Sequence, residues 1–342
     1  MFIHQHICIS PQQTTEEVNL TKITPSVKGK LFAIEPKLDG VPPGMLRRMS
    51  KAVRMGLGAG MPILTHQNVN GIIIGTANGG MEDCIKFLNQ IIDYEEGMLT
   101  PGNFVQSTPN AIAGQLSLVT KNHGYNATHV HFGLAFETAL LDAQMLLAEN
   151  PEDNYLVGGI DEISAYNYNI DLLAGWFSKD VSNENLYSSG ASTTIAGEGA
   201  AFFLVNNQPQ QAIAGIKAIK TLHSTEPEQV QLALHTFLTQ NDIRAENMIA
   251  LFGENGDVRL NSFYEACEHL IKDMPLAHFK HLCGEYPTAS SFALWLACHM
   301  LQEQDLPAHF YKRSPSRRFG QVMIYNNYQG KQHSFMLIEK CV

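Results

Sequence analysis

The residues that could do chemistry fall into small, separate groups. His129 and His131 alternate on a predicted strand, residues 128–132, so their side chains share one face, a geometry open to two metal ligands. No flanking carboxylate or cysteine completes a ligand set, and packing or polar contacts at the next turn are the reading adopted. His278, His281, Cys283 and Glu285 form a second group whose spacing can in principle assemble three donors. Cys84 lies in the first turns of a predicted helix behind a glycine-rich loop, where a thiol can be activated, although structural burial is the expected role. That loop, residues 75–80, lacks the Gly-Lys-Ser/Thr of a phosphate cradle and reads as a packing turn. Glu137 and Asp142 are read as ordinary helix charges without a catalytic role. Neither a metal nor a cofactor is expected.

Composition sets the background. A chain of 342 residues, 44% hydrophobic, can bury one large core or two fused ones. A net charge of -10 with only 16% charged residues excludes a broad nucleic-acid surface. The densest basic stretch, Lys312, Arg313, Arg317 and Arg318, reads as a solvated loop, with a phosphate or carrier-protein contact as the alternative. The six cysteines are dispersed without CxxC pairs, as in a reducing cytoplasm. No basic leader precedes an apolar stretch, and no segment approaches the roughly 18 apolar residues of a membrane span. A soluble cytoplasmic protein without nucleic-acid or membrane partners is expected.

The positioning elements follow from periodicity. Strands are predicted over residues 2–9, 71–75, 128–132, 155–159, 201–205, 212–220 and 247–252, with a terminal hairpin of 321–325 against 334–339. Helices are predicted over 45–61, with Pro62 as its stop, and over 81–93, 134–147, 227–239 and 290–302. The alternation argues for α/β layers, and polar residues 206–211 mark the mid-chain boundary.

Read in order, these segments resemble the β-ketoacyl synthase family. The motifs are Ile7-Cys8-Ile9-Ser10-Pro11, Leu46-Arg47-Arg48-Met49-Ser50-Lys51, Gly75-Thr76-Ala77-Asn78-Gly79-Gly80, the segment from Gln106 to Leu116, Val157-Gly158-Gly159-Ile160-Asp161-Glu162, and Gly197-Glu198-Gly199-Ala200. The resemblance implies a thiolase-like five-layered α-β-α-β-α fold built from two similar halves, residues 1–208 and 209–342, normally in a dimer.

A working condensing enzyme of this family holds its acyl chain on a cysteine at a strand-to-helix turn, assisted by two histidines. The resemblance places that turn at His131, Phe132 and Gly133, and no cysteine occurs between Cys84 and Cys267. Phe252 stands where the first histidine belongs. In Lys280-His281-Leu282-Cys283-Gly284-Glu285 the family's lysine and glycine persist while Glu285 replaces the second histidine, a pattern that also accounts for the donors there without a metal. Asn326-Asn327-Tyr328-Gln329-Gly330 corresponds to a gating loop that has lost glycine. The expectation is a subunit similar to a chain-length factor, of fatty-acid or polyketide type as in aryl-polyene or flexirubin-like pathways. It would pair with an active ketosynthase or with itself and meet an acyl carrier protein. An acyltransferase or decarboxylase using His131, Lys280 and Glu285 is the alternative.

Overall fold

The computed structural model describes residues 1–341 apart from 16, 242, 244 and 305. Its strands are β1 (Phe2–Ile9), β2 (Lys30–Leu31), β3 (Gly71–Gly75), β4 (Tyr125–His129), β5 (Tyr155–Asp161), β6 (Ala196–Gly197), β7 (Gly199–Asn206), β8 (Ala214–His223), β9 (Met248–Phe252), β10 (Leu276–His278), β11 (Tyr311–Arg313), β12 (Gln321–Tyr328) and β13 (Gln332–Lys340). The α-helices are α1 (Pro43–Leu46), α2 (Lys51–Leu64), α3 (Met81–Asp93), α4 (Pro101–Gln106), α5 (Ala111–Thr120), α6 (Ala135–Glu149), α7 (Ala165–Leu173), α8 (Pro227–Gln240), α9 (Asn261–Leu270), α10 (Lys280–Cys283) and α11 (Ala289–Glu303).

Strand parity builds the layers. In β3, Ile72 and Ile74 pack on the side of α2 and α5, whereas Ile73 joins Phe136 of α6 and the apolar side chains of α11. In β9, β12 and β13, Ile249, Leu251, Val322, Ile324, Met336 and Ile338 face that same α6 and α11 layer. Their neighbours Ala250, Phe252, Met323, Tyr325, Phe335 and Leu337 face α8 and α9 instead. Both helices of the central layer are therefore covered on two sides, and α11 is buried almost end to end, including Phe292 and Trp295. Each such large side chain stabilises the fold by about 1.5–3 kcal/mol. The result is the expected five-layered arrangement. The sheet order is β11-β10-β9-β12-β13-β8-β1-β7-β5-β3-β4, and the short β1–β8 pairing at Phe2↔Gly215 and Ile3↔Ala214 joins its two parts. The terminal hairpin forms between β12 and β13, with Gln321 opposite Glu339.

Two expectations about elements need correction. The helix predicted over 45–61 is two helices, because Ser50 caps a new start by accepting from the Val53 amide. Pro62 does not stop α2; it withholds one N–H in the last turn, and the Thr65 amide still reaches the Met61 carbonyl at 2.8 Å. The strand predicted over 128–132 spans Tyr125–His129, and the chain has left it by His131 (φ -146°, ψ 38°). Among the described residues, no helix is long and apolar enough to cross a membrane.

Candidate functional site

β4 is paired in parallel to β3, and the chain leaves it through His131 and a 3-10 turn, Phe132–Leu134, straight into α6. Phe132 holds φ 45°, an unusual angle for a side-chain-bearing residue, and marks a tight elbow between strand and helix. The residue is 64% exposed. Gly133 is required for contact: a Cβ there would lie 2.2 Å from the Tyr328 Cβ, and its amide donates to Gln332 Oε1 at 2.8 Å. The elbow is thus clamped against β12 and β13 with Tyr328 over it. His131 stacks on His223 at 5.3 Å and lies 3.3 Å from Thr138 Oγ1.

His129 and His131 do not act as a pair. His129 Nε2 meets Asp142 of α6 at 2.8 Å, a carboxylate from a different element, while His131 sits beyond the strand with other partners. Asp142 also accepts from the Tyr125 hydroxyl at 3.1 Å.

On the other side of Tyr328 lies a small cavity of about 30 Å³. β5 ends in two buried carboxylates at its rim. Asp161 accepts from the amides of Ala77 and Asn78, the hydroxyls of Thr76 and Thr288 and the Thr288 amide, at 2.8–3.1 Å. Burial pushes its carboxyl up while these donors pull it down. It fixes the glycine-rich turn after β3 to the start of α11, so that turn serves packing. Glu162 accepts from the Ala52 amide at the start of α2, and burial raises it to about 7. Glu198, between β6 and β7, is ion-paired with Lys51 and accepts from the Ala33 and Ile163 amides.

Lys280 and Glu285 meet in this region. Gly197 and Gly284 let β6 and the end of α10 approach until a Cβ on Gly197 would sit 1.9 Å from the Cys283 carbonyl oxygen. The Gly197 amide donates to the Glu285 carbonyl and the Glu285 amide to the Ile195 carbonyl. That docking presents Glu285 to the cavity, where Oε1 accepts from Lys280 Nζ at 2.6 Å and Oε2 from Asn255 Nδ2 at 2.8 Å. Lys280 has no exposed surface and lies behind Glu285. Phe252 is not brought to the cavity; strand parity turns its ring outward against Tyr264 and Tyr325, at 6.3 and 5.1 Å.

The donors at His278, His281, Cys283 and Glu285 go to separate partners. His278 lies 3.2 Å from Glu254. Burial alone would raise the Glu254 carboxyl, but His278 and Lys312 together hold it down at about 2. His281 lies 3.1 Å from the Tyr187 hydroxyl and 3.0 Å from His309, and burial lowers its imidazole to about 3. Cys283 is buried with its thiol pushed up. Among the described residues, no group of three or more such donors could hold a metal ion. Glu137 sits in the first turn of α6, as an N-terminal helix charge does, but it is fully buried, accepting from Ser334 Oγ at 2.6 Å, and burial raises it. Cys84 is partly buried.

The sequence reading overlooked Asp171 and Tyr168 and did not foresee Tyr328 over the elbow. Acidic residues closing an apolar strand, as Asp161 and Glu162 do, were the available signal, since a buried carboxylate needs donors from elsewhere. Nothing local marked Tyr328, which meets Gly133 across the sheet.

A profile described as the N-terminal domain of beta-ketoacyl synthase matches residues 26–241, more than half of the chain. No curated protein matches the sequence. Among solved structures, a beta-ketoacyl synthase from Burkholderia phymatum is similar with a TM-score of 0.78 at 14% identity, over 99% of this chain and 98% of that one. The ketosynthase ApeO in complex with its chain length factor ApeC from Xenorhabdus doucetiae gives 0.76 at 15%, over 99% and 97%. AntDE:AntF, a type II polyketide acyl-carrier protein in complex with its ketosynthase bound to the hexaketide, gives 0.76 at 10%, over 99% and 98%. With the elbow, the layered fold and the matched profile in agreement, the chain belongs to the beta-ketoacyl synthase family.

Proposed function

We propose that this chain is a non-condensing, chain-length-factor-like subunit that pairs with an active ketosynthase in a fatty-acid or polyketide-type pathway of the aryl-polyene or flexirubin kind. One observation carries the reading: the elbow that should present a nucleophile presents Phe132, and the cavity beside it is lined by neither cysteine nor histidine among the described residues. Acyl transfer to the protein needs a nucleophile, and decarboxylative condensation needs donors to the developing oxyanion. Lys280 cannot stand in, because its ammonium is buried and committed to Glu285. His131 is occupied with Thr138 and His223 and does not line the cavity.

A surface for the partner supports the pairing. β4 ends the sheet with its outer edge unpaired among the described residues, and Leu118, Tyr125, Val130, Phe132 and Met145 are exposed around it. An open edge flanked by apolar side chains favours strand addition by another protein. ApeO is solved with a chain length factor and AntDE:AntF as an acyl-carrier protein with its ketosynthase, which favours a ketosynthase on this edge and a carrier protein as the third component. The test is co-expression with a ketosynthase that retains cysteine and both histidines, followed by size-exclusion chromatography and intact-mass analysis with acyl-carrier thioesters. A mixed dimer acylated only on the partner is expected. An acyl adduct on this chain alone would overturn the reading.

A further inference from the structure

The cavity at the end of β5 holds two polar atoms with nothing to bond. Glu162 is 4% exposed; its Oε2 accepts from the Ala52 amide, and its Oε1 has no partner. Tyr168 of α7 is 3% exposed and its hydroxyl has none either. Both residues line the same cavity. Buried acceptors are rarely left unmet, because desolvating them is not repaid.

Several polar neighbours are already committed. Asp161 is saturated by its five donors, and Glu285 is held by Lys280 and Asn255. Asn167 donates to the Glu162 carbonyl and accepts from Ser164. Thr194 donates to the Asn255 carbonyl. Glu162 Oε1 and the Tyr168 hydroxyl remain without a partner, and where the cavity meets solvent the partly exposed Asp171, already hydrogen-bonded to Gln329, adds its charge.

Charge narrows the choice. The lining contains Asp161, Glu162, Asp171 and Glu285 but no lysine or arginine among the described residues; of the cations just outside it, Lys280 is paired with Glu285, Arg259 is paired with Asp257 over the Trp176 ring, and Lys30 lies 3.5 Å over the Tyr168 ring. A carboxylate ligand has the wrong sign here. A hydroxyl would leave the negative excess in place. A primary ammonium group has three N–H donors and a matching charge, and its size is close to that of water. A cavity of about 30 Å³ holds one or two water-sized groups.

We propose that this cavity is a binding site for a primary ammonium group, which donates to Glu162 Oε1 and Tyr168 Oη beneath the field of Asp171. The cavity lies within one chain, so the site does not depend on pairing with a ketosynthase. By the same electrostatics it disfavours carboxylate-bearing acyl units.

Titrating the full chain with methylammonium chloride at fixed ionic strength and at pH 8, where the Glu162 carboxyl has released its proton, by calorimetry and thermal denaturation, tests the assignment. Saturable binding is expected, weakened at least tenfold by Glu162→Gln and about threefold by Tyr168→Phe, with sodium acetate giving none. Absence of saturable binding, an unchanged affinity in Glu162→Gln, equal binding of acetate, or equal competition by potassium would overturn it. Should a variant not fold, a crystal of the wild-type chain soaked in methylammonium decides. A methylammonium nitrogen within hydrogen-bond distance of Glu162 Oε1 supports the site, and an ordered water only refutes it.

Discussion

A lysine without exposed surface persists in a protein interior only when its charge is met, and Lys280 meets Glu285 at 2.6 Å. Lys280→Ala strands the Glu285 carboxylate and is expected to lower the unfolding free energy in urea by about 3–5 kcal/mol. Lys280→Met combined with Glu285→Gln removes both charges and is expected to cost far less; equal losses would show that the ion pair is not the source. Glu162 belongs to the same scale. Burial is the main reason its carboxyl titrates at about 7, with Glu82, Glu198 and Asp83 adding to it against the Ala52 amide. The folded chain therefore holds a proton that the unfolded chain has released. Its stabilisation is complete below about pH 4.5 and is lost as pH rises through about 7, a change of up to about 3 kcal/mol. Urea midpoints at pH 5 and pH 8 should separate less in Glu162→Gln than in the wild type. Parallel slopes would remove Glu162 as the titrating group. These partners were beyond reach of the sequence: Glu285 was identified as a substitution for histidine, but that it would be neutralised five positions back depends on the turn through Gly284.

At the level of elements, the elbow is the decisive piece. The β4-turn-α6 unit was legible because helix and strand periods are local, although the strand was placed three residues late by extending it through His131. The left-handed Phe132 and the clamp by Tyr328 were not legible, since nothing in residues 128–137 announces a ring arriving from β12. Gly133→Ala should destabilise the chain by about 1–3 kcal/mol through overpacking against the Tyr328 Cβ. Thermal denaturation of Gly133→Ala with Tyr328→Gly should recover part of that loss, and no recovery would place the strain elsewhere. Phe132→Cys offers a complementary measurement. The position is exposed, so the new thiol should alkylate with iodoacetamide, yet condensation should stay absent because no histidine lines the cavity among the described residues.

For the molecule as a whole, the open β4 edge is where an assembly would form. Leu118→Glu with Met145→Glu places charge on exposed positions, 74% and 62%, and should leave the fold intact while weakening a ketosynthase complex at least tenfold by size-exclusion chromatography. An unaffected complex would move the interface elsewhere. The amino-acid order alone determined the alternation of strands and helices, the layered class and the lack of a thiol anywhere near residues 129–137, because each is a matter of local period or simple residue identity. Only the tertiary structure decided which buried charge meets which partner, that Phe252 turns outward, and that Glu162 and Tyr168 share one cavity. Those outcomes join residues far apart in the chain, as the Gly133 amide joins Gln332, and such pairings become defined only when the layers pack.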